Sequence, residues 1–325
     1  MKRIYLDSNI LSCIHRPPAG NGHDKADQVL AFADRGMAEF VFSIAHLMDN
    51  RKGYHQEPQK ALERLQFISK FTRNCQVTNN FDSIMTPVVK ADPAQLFLQE
   101  EVELMELFGP NRKPVDLEPL IAETSAYHQL RTMPVDLEQV EGAFAQIPIR
   151  VTQTRNEPTA YNLLCDVLRF FSEMLADDFT MYKTARKETI RETAIAGRIA
   201  DLEDPFPAIE SLLKKHPKGR HILAAVKECL LSEPDDLEEI IGCLYLTLDY
   251  LGYAKDDLDR KQNFWNIAAD AAHCYYASLC DIYVTDDRKA ARKTRAIYRF
   301  LELNTVVIDY DQFLDWIGQQ QGNHF

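Results

Sequence analysis

Four aspartates stand where a short acidic side chain can be held rigidly. Asp7 follows the apolar run RIYL, Asp49 comes six residues after Ser43, Asp270 sits in AADAAH and Asp287 in VTDDR. Singly, each reads as a solvated acid or a helix cap. Jointly they pose an electrostatic problem, because clustered carboxylates repel and some are protonated unless a cation compensates. Hard divalent cations such as Mg²⁺ or Mn²⁺ take oxygen ligands, keep waters and bind phosphates. Such an ion acidifies its bound water and stabilises charge on a phosphoryl oxygen. The constellation therefore points to metal-assisted hydrolysis of a phosphate ester.

The elements that must position these acids fall into two flanks and a middle. In the first flank, Arg3–Leu6 reads as a buried strand, a helix runs from Asp24 to about Arg35, and EFVFS (Glu39–Ser43) is a second strand. Ser43 opens the next helix, Pro58 begins another reaching about Phe71, and Cys75–Thr78 is a third strand. Over 81–257 helical patterns punctuated by prolines follow one another, with no β pattern and no repeat. In the second flank a helix through NFWNIAADAAHCYYASLC leads to strand DIYVT, a basic helix, strand TVVID and a last helix from Asp311. The expected fold is α/β with a mostly parallel sheet, made of 1–80 and 258–325 and interrupted by an all-α insertion over 81–257. Sites in such sheets lie beyond the carboxyl ends of strands, the edge to which Asp7 and Asp287 belong.

The net charge is −12 over 325 residues. By segment it is −14 for 81–257, +3 for 1–80 and −1 for 258–325, so the acidity belongs to the insertion. This excludes a uniformly basic coat for nucleic acid, but not a local site. Arg288, Arg292, Arg295 and Arg299 follow 4, 3 and 4 spacing on one helical face, with Lys289 and Lys293 beside it. They read as phosphate contacts or as a solvated face. The clusters Lys183, Arg186, Lys187, Arg191 and Lys214, Lys215, Lys218, Arg220 read as solvated faces. His273 reads as a packed histidine bonded to the backbone, and Trp265, Tyr275 and Tyr276 as core. Seven cysteines, an odd number with no CxxC, suggest reduced thiols in a cytoplasmic protein. Asp7 and Asn9 interrupt the apolar start in a way a secretory leader would not tolerate, and Ile240–Leu248 is too short to span a bilayer, so no membrane partner is expected. There is no GxxxxGK[ST], GxGxxG or HExxH.

The flanks resemble the PIN-domain nucleases. LDSN is similar to that family's opening strand-Asp-x-Asn, SIAHLMD to its Ser-then-acid helix, DAAHCYYASLCDIYVTDD to its Asp-x-x-His and Thr-x-Asp, and TVVIDYDQFL to its closing strand and helix. The resemblance does not cover 81–257. It implies a three-layer α/β/α domain that hydrolyses RNA, or sometimes DNA, with Mg²⁺ or Mn²⁺ and an in-line water. By resemblance Asp7, Asp270 and Asp287 hold metal with Asp49, where the family's usual acid is Glu. Asn9 and Thr285 orient the carboxylates or the water. The Thr-x-Asp spacing favours Asp287, with Asp286 able to share or replace it. The implied partner is nucleic acid, single-stranded RNA foremost, with the insertion free to bind a protein, cover the site or form a homo-oligomer. Two other readings compete. One is a degenerate PIN-like binding module. The other is a phosphatase of the haloacid dehalogenase type with Asp7 as nucleophile, which expects Asp-x-Asp where this chain has Asn9.

Overall fold

The structure is a computed structural model that describes residues 1–78, 88–99, 129, 131–134, 159–160, 180–215, 223, 237–256 and 264–322. It opens with β1 (Lys2–Leu6), α1 (Ser8–His15) and α2 (Gly22–Asp34). Next come β2 (Ala38–Val41), α3 (Ile44–Gln56), α4 (Pro58–Thr72) and β3 (Cys75–Val77). The expected elements of the first flank are all present, with edges shifted by a residue or two. Ser43 caps α3 as its position suggests: its hydroxyl accepts from the Ala45 amide, and the His46 ring accepts from the Ser43 amide in return.

Β4 (Val88–Lys90) corrects the all-helical reading of 81–257: it pairs antiparallel with β3 through Gln76↔Val89. Two adjacent valines are too short a signal for a periodicity argument. They form a strand because β3 offers unpaired backbone groups along its free edge.

The middle of the chain contributes α5 (Thr180–Thr193), α6 (Ala196–Ile199), α7 (Phe206–Lys215) and α8 (Leu237–Tyr250). Much of the helical pattern expected over 81–257 lies outside the described residues. The chain divides into two compact units. One comprises Met1–Glu103, Asp235–Tyr245 and Asn266–Phe325; the other comprises Leu104–Pro234 and Leu246–Trp265. The α/β unit thus takes in 81–103 and 235–245 besides the flanks, while 258–265 fall to the other unit.

The second unit holds a buried ion pair. Arg186 Nη1 donates to Asp249 Oδ2 at 2.7 Å, the Tyr182 hydroxyl donates to the same oxygen, and the Asp256 amide donates to Asp249 Oδ1. Arg186 therefore belongs to a buried network and not to a solvated face. At the end of α8, Gly252 has φ +87, and a Cβ there would meet the Ala196 Cβ at 2.8 Å. Glycine is required on both counts.

The α/β unit closes with α9 (Phe264–Ser278), β5 (Ile282–Val284), α10 (Arg288–Phe300), β6 (Val306–Ile308) and α11 (Tyr310–Gly322). Four strands form a parallel sheet in the order β2-β1-β5-β6, and Phe42 bridges onward to Gln76 of β3. Period-two alternation then sends side chains to both faces. Ile4, Leu6, Phe40, Ile282 and Val284 pack in one apolar cluster with Val29 and Phe32 of α2, Leu65 of α4 and Phe313 of α11. Tyr5 goes to the opposite face, toward α3 and α9. Each large apolar side chain so buried contributes about 1.5–3 kcal/mol. Among the described residues no helix is long and apolar enough to cross a membrane.

Candidate active site

The parallel register places the first site residue. Leu6 pairs with Val284, so the next residues in each strand, Asp7 and Thr285, emerge side by side at the carboxyl ends of β1 and β5. The Asp7 amide continues the ladder by donating to the Val284 carbonyl at 2.9 Å. The Thr285 hydroxyl donates to Asp7 Oδ2 at 2.6 Å, and both residues are buried. The resemblance implied that Thr285 orients the carboxylates or the water, and the structure gives it a hydrogen bond to Asp7.

Two helices on the Tyr5 face bring the other members. Asp49 projects from α3 and His273 from α9, and His273 Nε2 donates to Asp49 Oδ2 at 2.9 Å. The opposite ring nitrogen, Nδ1, lies 2.7 Å from the Tyr5 hydroxyl, which is itself 2.6 Å from the Ser43 hydroxyl. Donor atoms of Asp7, Asp49 and His273 all lie within 4.8 Å of one another. His273 is therefore not the backbone-bonded core histidine expected from its context; its partners are side chains in the acidic cluster. The available signal was its place three residues after Asp270, which puts it on an adjoining helical face.

A second histidine supports the first. His46 Nδ1 accepts from the Ser43 amide at 3.0 Å, so its proton sits on Nε2, which donates to the Leu6 carbonyl at 2.8 Å. Burial, then the neighbouring His273, pushes His46 down to about 3, and it stays neutral. For His273, burial works against the charged form, but Asp49 and Asp7 outweigh it and the ring is held above the usual histidine range. Burial raises Asp7 above the usual carboxylate range despite the opposing pull of His273 and Thr285. Asp49 is held low, because the charge of His273 and its hydrogen bond outweigh burial. A fourth group closes the cluster: Arg64 of α4 donates through Nη2 to the Ser8 carbonyl at 2.9 Å, and its charge interacts with Asp49 and Asp7.

The remaining expected site residues take other positions. Asp287 caps α10, its Oδ1 accepting from the Lys289 and Ala290 amides, while its charge still raises Asp7. Asp286 is exposed, and its Oδ1 accepts from the Tyr310 amide at the start of α11. The Asp287 charge is among those that raise Asp7. Asp270, half-buried on α9, acts on Tyr283 and Cys274, whose acidities burial chiefly suppresses, and lies outside the triad of close donors. Asn9 is exposed on α1. On α10, Arg288, Arg295 and Arg299 are exposed and Arg292 is half-buried, and the Arg295 guanidinium donates to the Val307 carbonyl at 3.1–3.2 Å. Lys293, read as lying beside that stripe, is fully buried with its ammonium 4.4 Å from the Tyr245 ring centre. Tyr275 and Tyr276 are core, as expected, while the Trp265 side chain lies outside the described set.

The donor set of Asp7, Asp49 and His273 fits a divalent cation in kind: two carboxylate oxygens and an imidazole nitrogen. Donors of one ion at ~2.1 Å are at most about 4.2 Å apart, so the triad must draw in by several tenths of an ångström. His273 Nε2 must also release its proton before it can ligate. Comparison with protein-family models, with curated proteins and with solved structures found no match.

Proposed function

We propose that the chain is a metal-dependent ribonuclease built on a PIN-like three-layer α/β/α domain. The observation that carries this reading is the convergence of Asp7, Asp49 and His273 donors within 4.8 Å beyond the carboxyl end of β1. Buried acids at such proximity are costly alone and cheap around a cation. The mixed oxygen and nitrogen donors suit Mn²⁺ better than Mg²⁺, which prefers oxygen throughout. A bound ion of this kind supplies an acidified water and a Lewis acid for the phosphoryl oxygen.

The protein's own groups do the rest. Thr285 locks the rotamer of Asp7 by donating to Oδ2. The proton between Asp49 and His273 rests on His273 Nε2, and the ring would have to give it up for that nitrogen to hold a metal. Tyr5, anchored by Ser43, fixes the plane of the His273 ring. Asp287, whose charge acts on Asp7, would be a further acidic group on the metal's side of the sheet. Arg64 places a positive charge beside the acids, where a phosphate oxygen would develop negative charge.

Asp7→Asn keeps size and removes one charge. It is expected to abolish Mn²⁺-dependent cleavage of single-stranded RNA while leaving the melting temperature at or above wild type, since repulsion is relieved. Cleavage that survives both EDTA and Asp7→Asn overturns the proposal. The binding-module reading has one observation in its favour: His273 and Arg64 already supply cations to the acids. It predicts RNA binding with no cleavage in any divalent metal, and unaltered binding in EDTA.

A further inference from the structure

A cavity of about 430 Å³ opens between α1, α3 and α4 of the α/β unit. Its lining holds three fixed cations, Arg16, Lys60 and Arg64, against one carboxylate, Glu57. Burial, then Arg16 and Arg64, pushes His15 in the same wall below the usual histidine range, as a positive local field would. Arg64 lines the cavity as a residue, while its Nε is buried away from solvent with no hydrogen-bond partner among the described residues. Arg16 pairs with Glu63 at 3.2 Å and Lys60 with Glu57 at 2.7 Å, but all four side chains are substantially exposed. Such pairs stabilise little.

The cavity and the acidic cluster share residues and neighbours. Arg64 lines the cavity and donates to Ser8, the residue after Asp7; Asn50, also in the lining, follows Asp49. The volume lies within the range of small-molecule sites, roughly 300–1,000 Å³, and exceeds a bare phosphate. It has room for a phosphate with its sugar. Guanidinium groups suit phosphate because their N–H fork matches two oxygens at once.

We propose that this cavity is a subsite for the nucleic-acid backbone, taking the phosphate adjacent to the one held at Asp7, Asp49 and His273, with Arg64, Lys60 and Arg16 as its contacts. It rests on the nuclease reading for the identity of the ligand, not for the existence of an anion site.

The test is binding of a hexameric oligoribonucleotide in EDTA, followed across salt concentrations, together with alkylation of Cys13, which also lines the cavity. Wild type should bind, and the oligomer should protect Cys13 from iodoacetamide. Lys60→Gln and Arg16→Gln, both at exposed positions where the fold tolerates change, should each weaken binding severalfold and flatten the log–log salt slope by about 0.7. Arg64→Gln should do the same if it folds. Wild-type affinity and slope in both exposed-site variants, or Cys13 alkylated equally fast with oligomer bound, overturns the subsite. Protection of Cys13 by inorganic phosphate but not by the oligomer also overturns it, leaving a site for a free anion. The two proposals fail separately. Mn²⁺-dependent cleavage lost in Asp7→Asn but indifferent to Lys60→Gln sinks only the subsite. Binding lost in Lys60→Gln with no cleavage under any metal sinks only the nuclease.

Discussion

Asp7 and Thr285 illustrate what one residue's neighbour can do. The carboxylate is buried and the hydroxyl reaches it at 2.6 Å, so removing that single oxygen leaves Asp7 in place but free to turn. Thr285→Val preserves shape and should cost roughly 10–100-fold in metal affinity or cleavage, as losses behind a metal ligand do, and about 1–3 kcal/mol of stability, because the buried Asp7 oxygen and the Asp287 amide each lose a partner. A calorimetric titration with Mn²⁺ checks it, and an unchanged affinity would remove Thr285 from the site. The thiols provide a second residue-scale test. Burial raises Cys280 far above its ordinary range, whereas Cys13, raised less by burial and Asp286, is half-exposed. At pH 8 only a thiolate is alkylated. Cys13 should therefore label in the native protein while Cys280 waits for unfolding, as peptide mapping would show. Asp7 and Asp49 were legible in the sequence because strand ends and caps announce themselves locally. His273 was not, since its partners, Tyr5 and Asp49, lie 268 and 224 residues away.

Helix α10 shows how an element can depend on a residue with two duties. Asp287 caps it by accepting two amides, and its negative charge also reaches Asp7. Substitution separates the duties. Asp287→Ala loses cap and charge, so it should destabilise by about 1 kcal/mol and lower cleavage as well. Asp287→Asn keeps a good capping group and loses only the charge, so stability should stay near wild type while cleavage falls. If Asp287→Asn cleaves normally, the residue is a cap and nothing more. The elements of the two flanks were readable because β-branched strands, proline and capping residues mark them; β4 was missed because three residues with two valines carry no period. The arginine stripe of α10 was half legible. Spacing put four guanidiniums on one face, but only a tertiary view reveals that Arg295 is spent on the Val307 carbonyl and that Lys293 is buried.

On the scale of the whole molecule, the acidic middle of the chain was recognised by charge and helical pattern, but its internal order was not. Nothing local distinguishes Arg186 from Lys183 or Lys187; only its pairing with Asp249, 63 residues on, buries it. Asp249→Ala would leave the Arg186 guanidinium and the Tyr182 hydroxyl short of their shared acceptor, at a cost of about 3–5 kcal/mol, measurable by urea unfolding. The sheet carries a consequence for the protein's birth. Β1 is a central strand paired with β5, 278 residues further along. At about 5–20 residues per second a ribosome takes roughly 15–55 s to deliver β5 after β1 has emerged. Throughout that interval the edge of β1 that faces β5, from Arg3 to Asp7, has no partner and is a template for another nascent chain. Ribosome-bound chains halted near residue 260 should therefore recruit a holdase chaperone and aggregate when released, whereas chains extended past β6 should not.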